Sequence, residues 1–158
     1  MKKTVFTGAA TALVTPMING GVDYDKFALL VEDQIAKNID ALVVCGTTGE
    51  SSTLTDEEHR ELIKFCVEKT AGRVPVIAGT GGNNTVSAAE MSLFAKKAGA
   101  DGILSVAPYY NKGTKSGITE HYRTIAEKCR IPVMVYNVPS RTGVSLTPEM
   151  YGELSEIP

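Results

Sequence analysis

The sequence predicts an α/β protein built on a parallel sheet. Three observations carry that reading. Short runs of apolar, often β-branched residues recur about every 30 residues, a helical pattern stands between successive runs, and a polar, glycine-containing loop follows each run. That rhythm is the one expected of repeated βαβ units.

In order along the chain, Ala9 to Val14 forms the first strand, closed by Thr15-Pro16 and an Asn19-Gly20-Gly21 turn. A helix begins near Asp23, with Phe27, Leu30, Val31 and Ile35 at helical spacing. Ala41-Leu42-Val43-Val44-Cys45 reads as a second, buried strand. Thr55-Asp56-Glu57-Glu58 is a capping box for the helix that carries Leu62, Ile63 and Cys66, and Gly72 supplies a left-handed stop. Pro75 to Ala78 is the third strand. The helix after it buries Met91, Phe94, Ala95 and Ala98 and ends at Gly99. Gly102 to Val106 is the fourth strand, and Ile118, Tyr122, Ile125 and Cys129 mark the next helix face. The fifth strand, Val133 to Tyr136, runs into a polar loop through Gly143, and Thr147-Pro148-Glu149 opens a further helix.

No linker or low-complexity segment divides residues 1–158, which read as one domain. An open doubly wound sheet and a (β/α)₈ barrel share this rhythm. All five strands end in polar, chemistry-bearing residues, and that favours a barrel rim over a single switch point. Such a barrel needs about 250 residues, so the chain is expected to supply the first five β/α units and to stop before a sixth strand.

The 158 residues are 43% hydrophobic and 22% charged, with a net charge of -2. This balance gives no reason to expect nucleic acid or an anionic membrane as partner. Charges or glycines interrupt every apolar run before the roughly 20 residues of a membrane span. The start, Met1-Lys2-Lys3-Thr4-Val5-Phe6, lacks the apolar core of a secretory signal, so a cytoplasmic location is expected. Cys45, Cys66 and Cys129 are far apart and without metal spacing, and His59 and His121 stand alone. All three thiols are expected to be buried hydrophobes, with no disulfide or zinc site.

Four clusters could carry chemistry. Gly46-Thr47-Thr48-Gly49-Glu50 pairs two hydroxyls between glycines and suits a carboxylate or phosphate, or else is a tight βα turn whose threonines satisfy local amides. Gly79-Thr80-Gly81-Gly82-Asn83-Asn84 departs from a dinucleotide fingerprint at Asn84, and reads better as a closely packed loop. Tyr109-Tyr110, after Pro108, is either a proton relay component or an aromatic pair at an oligomer contact. After the fifth strand come Tyr136, a relay phenol or a core-capping tyrosine, and Arg141. The latter is a bidentate carboxylate clamp or one half of a structural ion pair.

With Gly46-Thr47-Thr48-Gly49-Glu50, Pro108-Tyr109-Tyr110-Asn111 and Tyr136-Asn137-Val138-Pro139-Ser140-Arg141-Thr142-Gly143 in this order, the whole chain resembles the dihydrodipicolinate synthase family. That family belongs to the pyruvate-dependent class I aldolases, with N-acetylneuraminate lyase. The second threonine, Tyr-Tyr-Asn and Ser-Arg-Thr-Gly point to the synthase side. The resemblance implies a (β/α)₈ barrel that condenses pyruvate with aspartate semialdehyde, on the way to diaminopimelate and lysine, without metal or organic cofactor. It implies that Tyr136 exchanges protons over a lysine Schiff base and that Thr47 links it to Tyr110 from a neighbouring subunit. Thr48 would hold the pyruvate carboxylate and Arg141 that of the semialdehyde. The Schiff-base lysine of the family follows the sixth strand, beyond Pro158, so the chain by itself is expected to be inactive. The resemblance further implies a homotetramer of tight dimers, with Leu54 and Tyr109 at the interface. An effector site for lysine would lie beside Ser51, His59, Asn83 and Tyr109. Asp56 and Ser87 stand where lysine-inhibited members carry a histidine and a glutamate, which argues against such inhibition. The alternatives are another 2-keto-acid aldolase, a non-catalytic half-barrel that binds or assembles, and a nucleotide-binding domain. The absence of Walker and Rossmann signatures disfavours the last.

Overall fold

The computed structural model describes residues 4–158; the basic start Met1-Lys2-Lys3 lies outside the described residues. Five parallel strands, β1 (Ala10–Ala12), β4 (Ala41–Val44), β5 (Val76–Gly79), β6 (Gly102–Val106) and β7 (Val133–Tyr136), lie side by side in chain order. A doubly wound sheet reverses order at a switch point. Here each strand pairs only with the one before and the one after it, as in a barrel wall. The helices between them are α1 (Tyr24–Ala36), α2 (Asp56–Thr70), α3 (Thr85–Ala98) and α4 (Lys115–Cys129).

The strand ladder fixes which side chains share a face. Val44, Ala78, Ile103 and Val133 are partners across successive strands, and paired residues point the same way. All four pack in or against the main core with Phe27 and Val31 of α1, Leu62, Ile63 and Cys66 of α2 and Ile125 of α4. The opposite parity, carrying Ala12, Leu104, Met134 and Tyr136, faces away from the helices. Met134 there is 43% exposed. The helices therefore lie on one face; on the other, Val43 and Ile77 of the central strands are still buried while Met134 on the β7 edge is open, and β1 and β7 are the two edges.

A smaller core joins α4 to α6 (Pro148–Ser155) through Ile118, Tyr122, Leu146, Met150 and Leu154. Between α4, the β7 edge and Ile157 runs an apolar groove of about 790 Å³ lined by Ala126, Ile131, Val133 and Val135. At the N-terminal edge of the sheet, Asp40 and Asp101 accept from the backbone N–H of Ala9 and Val76, at 2.8 and 2.9 Å. Each aspartate thereby ties the start of its own strand to that of the preceding one.

The helix signals work as read. The Thr55 hydroxyl accepts from the Glu58 amide while the Glu58 carboxylate accepts from the Thr55 amide. Asp23, Asn84, Thr114 and Thr147 cap α1, α3, α4 and α6, each side chain accepting from the amide three residues on. The left-handed stop of α2 begins at Ala71 and continues into Gly72. All three cysteines are free and buried.

Two local elements differ from the sequence reading. The Asn19-Gly20 turn closes a small hairpin, β2 (Met17–Ile18) with β3 (Gly21–Val22), whose two-residue strands are too short to show alternation. Both turn residues have positive φ, which is the I′ geometry an Asn-Gly pair favours. The stretch after β7 is a single helical turn, α5 (Pro139–Thr142), rather than a polar loop. Proline at N1 and Gly143 in the left-handed region define its ends.

Candidate active site

Every loop singled out from the sequence leaves the C-terminal edge of the sheet. Beyond the shared rung of Val44, Ala78, Ile103 and Val133, Val106 still pairs with Tyr136 and Gly81 packs against Val106, while Thr47 lies in the loop after β4. Tyr136 is the last residue of β7, half-buried, and pairs with Val106 on the face without helices.

Beside it, Cys45 leaves β4 with φ 55, a left-handed conformation held by a buried non-glycine residue. Its strain turns the chain sharply into two successive turns, Gly49 N–H to the Gly46 carbonyl and Glu50 N–H to the Thr47 carbonyl, both at 3.1 Å. The turn satisfies its own amides with backbone carbonyls. Thr47 and Thr48 are consequently exposed, and among the described residues neither hydroxyl has a partner. That removes the alternative in which the threonines only stabilise the turn. The Thr15 hydroxyl donates to the Gly49 carbonyl at 2.7 Å and pins the loop to the end of β1.

The Gly79–Asn84 loop is packed rather than open. A Cβ on Gly79 would lie 2.0 Å from the Cys45 carbonyl oxygen, and one on Gly81 2.3 Å from the Val106 amide nitrogen. Those glycines serve close contact with the two neighbouring loops, and Asn84 is the cap of α3. Nothing in this geometry cradles a pyrophosphate. The alternative of a closely packed loop is the one found.

After β6, Tyr110 takes φ 72 and is 88% exposed, so its phenol projects away from its own chain. Its amide donates to the Thr142 carbonyl at 3.4 Å, and the Asn83 side chain donates to the Tyr109 carbonyl at 3.5 Å. Arg141 lies in α5, exposed and without an ion-pair partner among the described residues. The structural salt bridge weighed for it is not formed. Thr142 is buried below it and donates to the Val138 and Val144 carbonyls.

The remaining candidates lie in the loops after β4, β5 and β6 and at the start of α2. Ser51 opens a 3₁₀ turn, Ser51–Thr53, and Leu54 packs half-buried against the main core. Tyr109 and Asn83 meet across the β5 and β6 loops. His59 turns inward, with Nε2 donating to the Gly79 carbonyl at 2.8 Å, and burial pushes its imidazole below the usual histidine range. Asp56 and Ser87 are exposed in the first turns of α2 and α3. Gly79 and Gly81 were visible in the sequence as a motif, but not as the contacts that seat its neighbours. No group of three or more His, Cys, Asp or Glu among the described residues is arranged to hold a metal. Among the described residues no helix is long and apolar enough to cross a membrane.

A profile of the dihydrodipicolinate synthetase family matches residues 5–158. The chain belongs to that family. It is 54% identical over 157 residues to the 4-hydroxy-tetrahydrodipicolinate synthase of Acetivibrio thermocellus, covering 99% of this chain and 54% of that protein. The dihydrodipicolinate synthase of Aquifex aeolicus superposes with a TM-score of 0.93 at 49% identity, over 95% of this chain and 51% of the other. The chloride-inhibited dihydrodipicolinate synthase of Acinetobacter baumannii, complexed with pyruvate, superposes with a TM-score of 0.95 at 47% identity, over 98% and 53%. The chain thus spans about half the length of the family members it matches, and its five-stranded sheet is the corresponding part of their barrel.

Proposed function

We propose that the chain carries the proton-handling and carboxylate-binding half of a 4-hydroxy-tetrahydrodipicolinate synthase, which joins pyruvate to aspartate semialdehyde through a lysine Schiff base. The observation that carries this reading is the gathering of Thr47, Thr48, Tyr110, Tyr136 and Arg141 at one edge of a sheet whose whole length matches that family. The unpaired hydroxyls of Thr47 and Thr48 and the unpaired guanidinium of Arg141 support it, because each keeps its hydrogen-bonding capacity for a ligand.

In this reading Thr48 and the backbone around Gly49 hold the pyruvate carboxylate, and Arg141 takes the semialdehyde carboxylate as a fork. Tyr136, on the helix-free face and relayed through Thr47, takes a proton from the pyruvate methyl carbon as the enamine forms and gives one to the aldehyde oxygen as the carbon–carbon bond forms. A phenol is a weak base in isolation, and a chain of hydroxyls lets the proton leave the site as it arrives. Tyr110 is aimed outward, so it completes the relay of a second copy rather than its own, and the working form is a homo-oligomer. The described lysines lie on helices, at the end of α1, or, for Lys112, in the loop after β6. None ends a strand on the helix-free face, so the Schiff-base nucleophile belongs to chain beyond the residues given. Residues 1–158 act as one domain in this account.

Two experiments bear on this. With pyruvate and borohydride the chain should gain no covalent pyruvyl mass; a stable adduct would overturn the assignment of the nucleophile elsewhere. Joined to the second half of the Acetivibrio thermocellus relative, it should condense the two substrates. Tyr136→Phe or Thr47→Val should then lower kcat by about 100-fold, and Arg141→Ala should raise KM for the semialdehyde with less effect on kcat. Unchanged kinetics in all three variants would sink the reading. The apolar groove beside β7 and the exposed Met134 favour a second reading, a half-barrel that only assembles. A joined protein that folds but shows no condensation would select it.

A further inference from the structure

We propose that His59 and His121 work as a pair of positioning residues, clamping the Gly79–Thr85 loop at its two ends and so setting the groups on either side of it. This goes beyond the proposed reaction by assigning a role to a loop and two histidines that the reaction does not use. It rests on that reading only for what the positioned groups do. The two histidines occupy the same short pattern, Glu58-His59 with Ile63 and Glu120-His121 with Ile125. The pattern falls on α2 and α4, the two helices that flank α3.

His59 Nε2 donates to the carbonyl of Gly79, the last residue of β5 where the loop begins, at 2.8 Å. His121 Nδ1 meets the hydroxyl of Thr85, the first residue of α3 where the loop ends, at 2.9 Å. His121 is only 3% exposed, its Nε2 has no partner among the described residues, and its ring lies edge-on to Tyr122 at 5.3 Å. Asp56 and Arg60 are the charged groups acting on His59.

The clamped loop touches both halves of the site. At its start, Gly79 sits against the Cys45 carbonyl, and the Cys45 thiol in turn lies 4.0 Å from the His59 carbonyl. This closed circuit of α2, β5 and the β4 loop holds Cys45 in its left-handed conformation and aims Thr47 and Thr48. In the middle, Thr80 is buried against Ser92, with hydroxyls 2.8 Å apart, and Gly81 presses on Val106. Near its end, Asn83 reaches the Tyr109 carbonyl beside the strained Tyr110. A change at either histidine is therefore felt at the threonines on one side or the tyrosines on the other.

The test is amide exchange by NMR on this chain and on His59→Leu, His59→Gln and His121→Leu. Removing the His59 donor should speed exchange at Gly49 and Glu50 about tenfold, and removing His121 should do so at Tyr110. The Phe27 amide in α1, away from the loop, should keep its rate. His59→Gln retains an N–H donor and should restore protection at Gly49. In a parallel titration with pyruvate as probe, the amide shifts of Thr47 and Thr48 should need a higher pyruvate concentration in His59→Leu than in His59→Gln. Equal acceleration at Phe27 and the loop amides, or no change at the loop, would overturn the clamp. Absence of any pyruvate response in the parent chain would count against the proposed function, while the exchange rates would still decide this inference.

Discussion

Gly79 and Gly82 lie three residues apart in one motif, and only the first has a neighbour where a side chain would grow. Backbone cannot swing aside as a flexible side chain can. Gly79→Ala should therefore cost about 3 kcal/mol in urea unfolding. Gly82→Ala, with nothing within 4 Å, should change stability by less than about 0.5 kcal/mol. The three thiols belong to the same scale. Burial pushes Cys66 up to about 12 and Cys45 higher still, so native protein should react slowly with a disulfide reagent, and all three should react once unfolded. Fast release of even one equivalent from native protein would contradict that. Histidine sets the acid side. Desolvation holds His59 and His121 below their unfolded value, so below about pH 6.5 the unfolded chain binds more protons. Their contribution to stability is complete above that pH and falls away as the pH drops. His121→Phe should flatten this loss in urea midpoints compared at pH 7.5 and pH 5. Part of this scale was legible in advance: Thr55 and Thr147 cap the helices they are expected to open, whereas the sequence pattern does not pick out the caps Asn84 and Thr114. The left-handed Cys45 was not legible, because its conformation is imposed by Gly79 and His59, distant in sequence, rather than by its own preference.

Among the elements, α2 is the one most clearly specified by local chemistry. Thr55→Ala removes the hydroxyl half of its capping box, leaving the residue 55 amide to the Glu58 carboxylate, and should destabilise by about 1 kcal/mol. At its other end the Arg73 guanidinium grips both carboxylate oxygens of Glu32 on α1 and also donates to the Lys69 and Thr70 carbonyls. These contacts hold the Glu32 carboxyl well below its usual range, at about 2. The stabilisation they give is present above the ordinary glutamate value and fades as pH falls toward 2. Glu32→Gln should lower the melting temperature at low salt and have less effect at high salt, since the pair is open to solvent. Strand positions were readable from apolar runs because both faces of a parallel sheet are mostly covered. The hairpin and the turn α5 were hidden, since two residues cannot show a period and four cannot show a helical one. For the candidate site, the groups could be named from sequence, and the parallel order of the strands brings their loops to one edge of the sheet. The contacts that seat them come from glycine packing, which leaves no pattern along the chain.

For the molecule as a whole, the decisive feature is the order β1-β4-β5-β6-β7 with the helices on one face. An unpaired parallel edge beside an apolar groove invites another strand. The isolated chain should self-associate in sedimentation velocity as its concentration rises. Met134→Lys, placing a charge on the open face, should reduce that association without unfolding the chain. A monomer at all concentrations would show that the edge is protected by something the order of strands does not reveal. Barrel against open sheet was decided in the sequence by where polar residues fall, and the order of strands gives the same answer independently.

That same order has a consequence for synthesis. Each strand finds its partner in the strand made about thirty residues earlier, and none of the five must wait for a distant one. Growth of the wall can keep pace with the ribosome, at roughly 5–20 residues per second. Every newly emerged unit then shields the rim left bare by its predecessor, so the growing side exposes only its latest strand, while the β1 side stays open.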